Sequence, residues 1–125
     1  MGKFVVKKSK NDGFVFNLKA TNGQVIATSQ VYSTEATCMN GIESVKKNSA
    51  AANIEDQTKE GFEVQKHPKF EVYTDKSGEF RFRLKATNGE IIVTGQAYKR
   101  HADVLNGIDS IKRNAPDAEV VKEEE

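Results

Sequence analysis

Between Phe14 and Lys19 apolar and polar side chains alternate, with Phe14, Phe16 and Leu18 on one side and Val15, Asn17 and Lys19 on the other. The pattern returns more sharply as Phe80-Arg81-Phe82-Arg83-Leu84-Lys85. A period of two predicts strands with one apolar and one wet face. Phe4–Lys8 and Phe70–Thr74 are predicted as preceding strands, joined by turns at Asn11-Asp12-Gly13 and Lys76-Ser77-Gly78. Asn22-Gly23 and Asn88-Gly89 are predicted as tight hairpin turns in which both residues accept positive φ. Val25–Thr28 and Ile91–Thr94 return as the next strands. The period then lengthens to that of a helix. Ala36, Met39, Ile42 and Val45 form one stripe with Cys38 beside it; Ala102, Leu105, Ile108 and Ile111 form another with Val104 beside it. Ser33 and Thr34 suit an N-cap, with Tyr32 before them as a hydrophobic staple, and Asn48 and Asn114 close the helices.

These matches come from duplication. Residues 3–50 align with residues 69–116 at a constant offset of 66, without a gap, and about half of the positions are identical. Such density marks an internal repeat. The organisation expected is repeat 1 over residues 3–50, a linker over 51–68, repeat 2 over 69–122 and a frayed acidic tail at 123–125. Each helix is followed by a short segment with strand character. In repeat 2 it is Ala118–Lys122; in repeat 1 it falls either near Ala52–Glu55 or at Phe62–Gln65. Gly41 and Gly107 stand in mid-helix, where each costs about 1 kcal/mol relative to Ala. Their presence in both copies predicts that a backbone or bulky side chain comes too close for a Cβ.

A unit of about fifty residues is marginal alone, and no disulfide or metal is at hand to brace it, because Cys38 is the lone cysteine and His67 and His101 are the two histidines. The two units should therefore share one core, as a single α+β domain built on an antiparallel-rich sheet with both helices packed on it. The chain supplies its own partner, so a monomer with an internal pseudo-dimer is expected. Basic and acidic residues balance at 19 against 18, so no global field favours nucleic acid or a membrane. The first residues hold no apolar run for a signal peptide or membrane span, and Val6 breaks the myristoylation pattern. A lone cysteine suits a reducing compartment, and the cytoplasm is the expected address.

The F-x-F-x-L-K-A-x-N-G hairpin, followed by the N-G-I-[ED]-S-[VI]-K-[KR]-N helix, occurs twice and resembles the YegP-like family of small bacterial proteins, also called the domain of unknown function 1508. The resemblance covers both repeats. It implies a unit of three strands, a helix and a final strand, with two units joined into one sheet and their last strands exchanged. It implies no activity, cofactor or catalytic residue that can be carried over.

The residues themselves hold little chemistry. One cysteine and two distant histidines cannot make a structural zinc site. Cys38 aligns with Val104 beside an apolar stripe, which reads as a buried inert thiol. The Asn-Gly pairs fit hairpins rather than phosphate loops, and Glu43 and Asp109 fall on solvated helix faces. No cofactor or enzymatic activity is expected. Divergence between the copies is more informative. Arg81, Arg83 and Lys85 replace Val15, Asn17 and Lys19, and Lys99-Arg100-His101 replaces the capping Ser33-Thr34-Glu35. Arg81, Arg83, Arg100 and His101 are thus a candidate anion or nucleic-acid patch, since helix N-termini bind anions. Against it stands cross-strand pairing of Arg81 and Arg83 with Glu71, Glu79 or Glu90, and the nearby aromatics are expected to point inward, leaving no stacking platform. The other class of function is a protein-interaction module, resting on open sheet edges and on Val5, Val15 and Val31 as outward apolar surface.

Overall fold

The computed structural model describes residues 2–123. Its elements follow the order β1 (Lys3–Lys8), β2 (Phe14–Lys19), β3 (Val25–Ser29), α1 (Glu35–Ser49), β4 (Asn53–Asp56), β5 (Lys69–Thr74), β6 (Phe80–Lys85), β7 (Ile91–Thr94), α2 (His101–Asn114) and β8 (Glu119–Lys122). The eight strands form one mixed sheet in the order β4-β5-β6-β7-β3-β2-β1-β8. All pairings are antiparallel except β4 with β5 and β1 with β8, which are parallel. The last strand of each unit thus lies on the first strand of the other. Of the two places open for the strand after α1, the chain uses the earlier one, whereas residues 62–65 carry no regular structure.

The exchange gives two undersized units one core. Phe4, Phe16 and Leu18 join Phe70, Phe82 and Leu84, with Ile42, Val45, Ile108 and Ile111 from the helices, in a single buried cluster. The aromatic contacts repeat with the units: Phe4 meets Phe16 edge-on at 5.6 Å and Phe70 meets Phe82 edge-on at 5.9 Å.

Several local expectations are revised. The hairpin turns carry positive φ at Gly23 and Gly89 only. Gly23 N–H donates to Ala20 O and Ala20 N–H to Gln24 O, so the loop is a type I turn closed by a left-handed glycine. Asn22 serves differently: its Oδ1 accepts the Gln24 N–H, as Asn88 Oδ1 accepts that of Glu90. In the first turn of repeat 1 the left-handed residues are Asn11 (φ 68°) and Asp12 (φ 62°), while Gly13 is not left-handed. Asp12 aligns with Gly78, which has φ 82°. The helix stripes are rotated from the expected ones. Cys38 and Val104 are fully buried, whereas Ala36 and Ala102 are exposed and Met39 and Leu105 half-buried.

The mid-helix glycines are explained. A Cβ on Gly41 would collide with the Tyr32 hydroxyl, and one on Gly107 with the Tyr98 hydroxyl. Tyr32 and Tyr98 are bridged to Phe14 and Phe80 by paired backbone hydrogen bonds, which fix where each ring starts. At the helix ends Asn48 and Asn114 donate back to the Ser44 and Ser110 carbonyls. In the tail, Glu123 N–H is held by Val6 O, and residues 124–125 lie outside the described residues.

Candidate functional site

The four candidate anion-site residues do not form one patch. Alternation along β6 sends Phe80 and Phe82 toward the helices and Arg81 and Arg83 to the opposite face, while Arg100 and His101 start α2 on the helix side. Each has a partner. Arg81 donates to Gly95 O at 3.1 Å, and its buried Nε has no partner among the described residues. Arg83 pairs with Glu71, as cross-strand register allows. Arg100 caps nothing with its side chain but forms a forked pair with Asp103 at 3.1 and 3.2 Å. His101 Nε2 lies 2.6 Å from Asp56 Oδ2, and its ring meets Phe80 edge-on. At the positive end of α2, Arg100 and His101 thus each face a carboxylate, Asp103 and Asp56. α1, by contrast, keeps its cap: Thr34 accepts the Thr37 N–H in a capping box.

The densest polar chemistry lies on the outward face of repeat 2. Lys69, Glu71 and Glu55 are 4%, 3% and 2% exposed. Lys69 Nζ reaches Glu55 at 2.7 Å and Glu71 at 3.2 Å, and Glu71 also takes Arg83 and Lys85. The linker returns over this face: Gln65 N–H and Gln57 Nε2 both donate to Glu55 at 2.7 Å. Burial works to raise the Glu55 pKa, but the hydrogen bonds from Lys69, Gln57 and Gln65 outweigh it and bring the carboxyl from 4.5 to about 2. Glu71 and Asp56 are also burdened by burial yet held below the ordinary carboxylate range. Arg83 and Lys69 do this for Glu71, and Thr58 and His101 for Asp56. Alternation placed Lys69 and Glu71 outward; nothing in the pattern signals that a linker would bury them.

Two further readings of this face change. Tyr73 is an outward aromatic, opposite Arg81 in register, and its ring centroid lies 4.6 Å from Arg83 Cζ. In repeat 1, Val5 is buried at 6% and Val15 half-buried, so Val31, 65% exposed, is the outward valine that remains open.

Cys38 is fully buried, and burial followed by the nearby Glu35 charge pushes its thiol up, away from the thiolate. Among the described residues no group of three or more His, Cys, Asp or Glu is gathered to hold a metal ion. No helix there is long and apolar enough to cross a membrane.

The family model described as a domain of unknown function (DUF1508) matches residues 9–56 and again 75–121. The chain belongs to this family. A UPF0339 protein of Pseudomonas aeruginosa is 40% identical over 116 residues, covering 93% of this chain and 92% of that protein. The solution NMR structure of YegP from E. coli, a protein of unknown function, superposes with a TM-score of 0.79 at 33% identity, over 97% of this chain and 91% of the other. A UPF0339 protein of Treponema denticola is 61% identical over 54 residues, which are 43% of this chain but 93% of that protein. The family thus includes chains of one unit as well as two. Each matched segment ends at its unit's exchanged strand, so the sequence unit and the folding unit differ by that strand.

Proposed function

We propose that this domain is a non-enzymatic protein-interaction module that takes up an extended partner segment along β8. The observation that carries the reading is the open edge of the sheet at β8. Glu123 N–H points inward to Val6 O, so by alternation Val120 and Lys122 present their N–H groups outward. Such an edge accepts a further strand by backbone hydrogen bonds. Val121 beside it is 37% exposed and supplies apolar contact. A cleft of about 620 Å³ lined by Val6, Lys7, Lys8, Phe14, Glu35, Lys122 and Glu123 opens at the end of this edge. The opposite edge is crowded by the linker, since Asn53 Nδ2 donates to Lys66 O beside β4. Short length and the charges of Glu119 and Lys122 discourage indiscriminate self-pairing at β8. The buried thiol of Cys38 is consistent with a reducing, cytoplasmic setting.

The anion-binding reading has less support, because Arg81, Arg83, Arg100 and His101 lie in two pairs on opposite faces, each engaged within the fold. Photo-crosslinking from position 121 in the native cell, followed by titration of the captured protein's segment, tests the proposal. Slowed amide exchange at Val120 and Lys122 and loss of binding in Lys122→Pro are expected. Crosslinks no richer than those from position 113 on α2, or retention only on RNA or heparin and abolished by salt, would overturn it.

A further inference from the structure

The two exchanged strands are equivalent in position and opposite in chemistry. β4 carries Glu55-Asp56 where β8 carries Val121-Lys122. In register, Glu55 sits across from Glu71 within the Lys69 and Arg83 charges, and Val121 sits across from Val5. At the helix ends the polarity is reversed: Asp56 of β4 meets His101 at 2.6 Å, and Lys122 of β8 meets Glu35 at 2.6 Å. His101 and Glu35 are themselves equivalent positions, the first residues of α2 and α1.

We infer that each last strand is coded for the opposite unit, so that unlike pairing is selected and pairing with the same unit of a second copy of this chain is rejected. If repeat 1 paired with repeat 1 of another chain, Glu55 would lie against Val5, with Lys3 in the place of Lys69 and no counterpart of Glu71 or Arg83, and Asp56 would face Glu35. A buried carboxylate set against an apolar side chain and two adjacent like charges oppose that assembly. If repeat 2 paired with repeat 2, Lys69 and Glu71 would receive Val121 in place of Glu55, and Lys122 would face His101. Both like pairings lose what the unlike pairing gains, and the loss works as a repulsive element in specificity. Pseudo-symmetry alone would permit all three pairings; these four positions break it. The polar surroundings of the code are asymmetric in the same sense at Arg83, which stands in repeat 2 where Asn17 stands in repeat 1, whereas Lys69 and Lys85 have counterparts in Lys3 and Lys19.

The full chain tests this by exchange of the code. In the variant E55V/D56K/V121E/K122D each last strand carries the residues suited to its own unit. A lower melting temperature than wild type is expected, together with a concentration-dependent shift in native mass from monomer to dimer. The same melting temperature and mass as wild type would overturn the inference. Because four changes could abolish folding, the milder comparison is Lys122→Asp, Lys122→Ala and the double variant E35K/K122D. Lys122→Asp is expected to melt below Lys122→Ala, and the double variant to recover the loss. Equal melting for Lys122→Asp and Lys122→Ala, or no recovery in the double variant, would overturn it as well.

Discussion

The hydroxyl of Tyr98 lies over Gly107 in the middle of α2, close enough that a Cβ there would sit 2.6 Å from it. Two effects then compete in Gly107→Ala. Helix propensity favours Ala by about 1 kcal/mol, whereas overpacking costs about 1–3 kcal/mol. Tyr98 cannot slide away, because its N–H and C=O are both bonded to Phe80 at 2.8 Å. Gly107→Ala is therefore expected to destabilise the fold by about 1 kcal/mol in urea unfolding. Tyr98→Phe should recover part of the loss, since the next ring atom stands at 3.1 Å from the added Cβ. A rise in stability on Gly107→Ala would refute the packing explanation.

The duplication supplies an internal control for a second change. Ser49 is fully buried, and its hydroxyl has no hydrogen-bond partner among the described residues. The equivalent residue is Ala115, also fully buried. A buried unsatisfied hydroxyl costs about 1–3 kcal/mol. Ser49→Ala should raise the urea midpoint by the equivalent of about 1 kcal/mol, with an unchanged slope; a lower midpoint would show that the hydroxyl is satisfied in solution.

Much of the fold was legible because it rests on local period. The alternation at Phe14–Lys19 and Phe80–Lys85 marks β2 and β6, and the repeat itself implies a shared core. Where side chains answer to non-local partners, the pattern says less. The stripe in α1 keeps Ile42 and Val45 in the core but turns at its start toward Cys38, a poor marker of burial by itself, and away from Ala36. The turn at Asn22-Gly23 accompanies a shift of register between Leu18 and Lys19 that no dipeptide rule reveals. At the candidate site, Arg83 with Glu71 was readable from cross-strand neighbours. Glu55 with Lys69 was not, because their contact needs both the strand exchange and the linker above it. His101 with Asp56 spans 45 positions and depends on the same exchange.

Cys38 should behave as a core residue. It is fully buried with its thiol pushed away from the thiolate, and Val104 occupies the equivalent place. Under native conditions an aromatic disulfide reagent should label it no faster than the protein opens, with full labelling in denaturant. Cys38→Val adds one buried heavy atom, and with Val104 accommodated at the equivalent place it should cost no more than about 1–3 kcal/mol, the scale of overpacking. Rapid native labelling would place the thiol within reach of solvent.

The buried cluster around Glu55 predicts an acid-labile fold with a defined window. Its carboxyl falls from 4.5 to about 2 on folding, and those of Glu71 and Asp56 fall as well. A lowered folded pKa means that the ionised form stabilises the native state. That contribution is complete above about 4.5 and is lost as pH falls toward about 2. Lys69 shifts the other way: burial opposes its charge, but Glu55 and Glu71 raise its pKa, so its contribution is lost only when pH climbs above 10.5. Glu55→Gln should cost about 3 kcal/mol at pH 7, the usual scale for removing one partner of a buried ion pair. It should also flatten the decline in stability between pH 5 and pH 3, within the acid range that linkage assigns to paired carboxylates. Urea unfolding of wild type and variant across that range separates the two effects. A constant difference between the curves would mean that Glu55 does not carry the acid response, leaving it to Glu71 and Asp56.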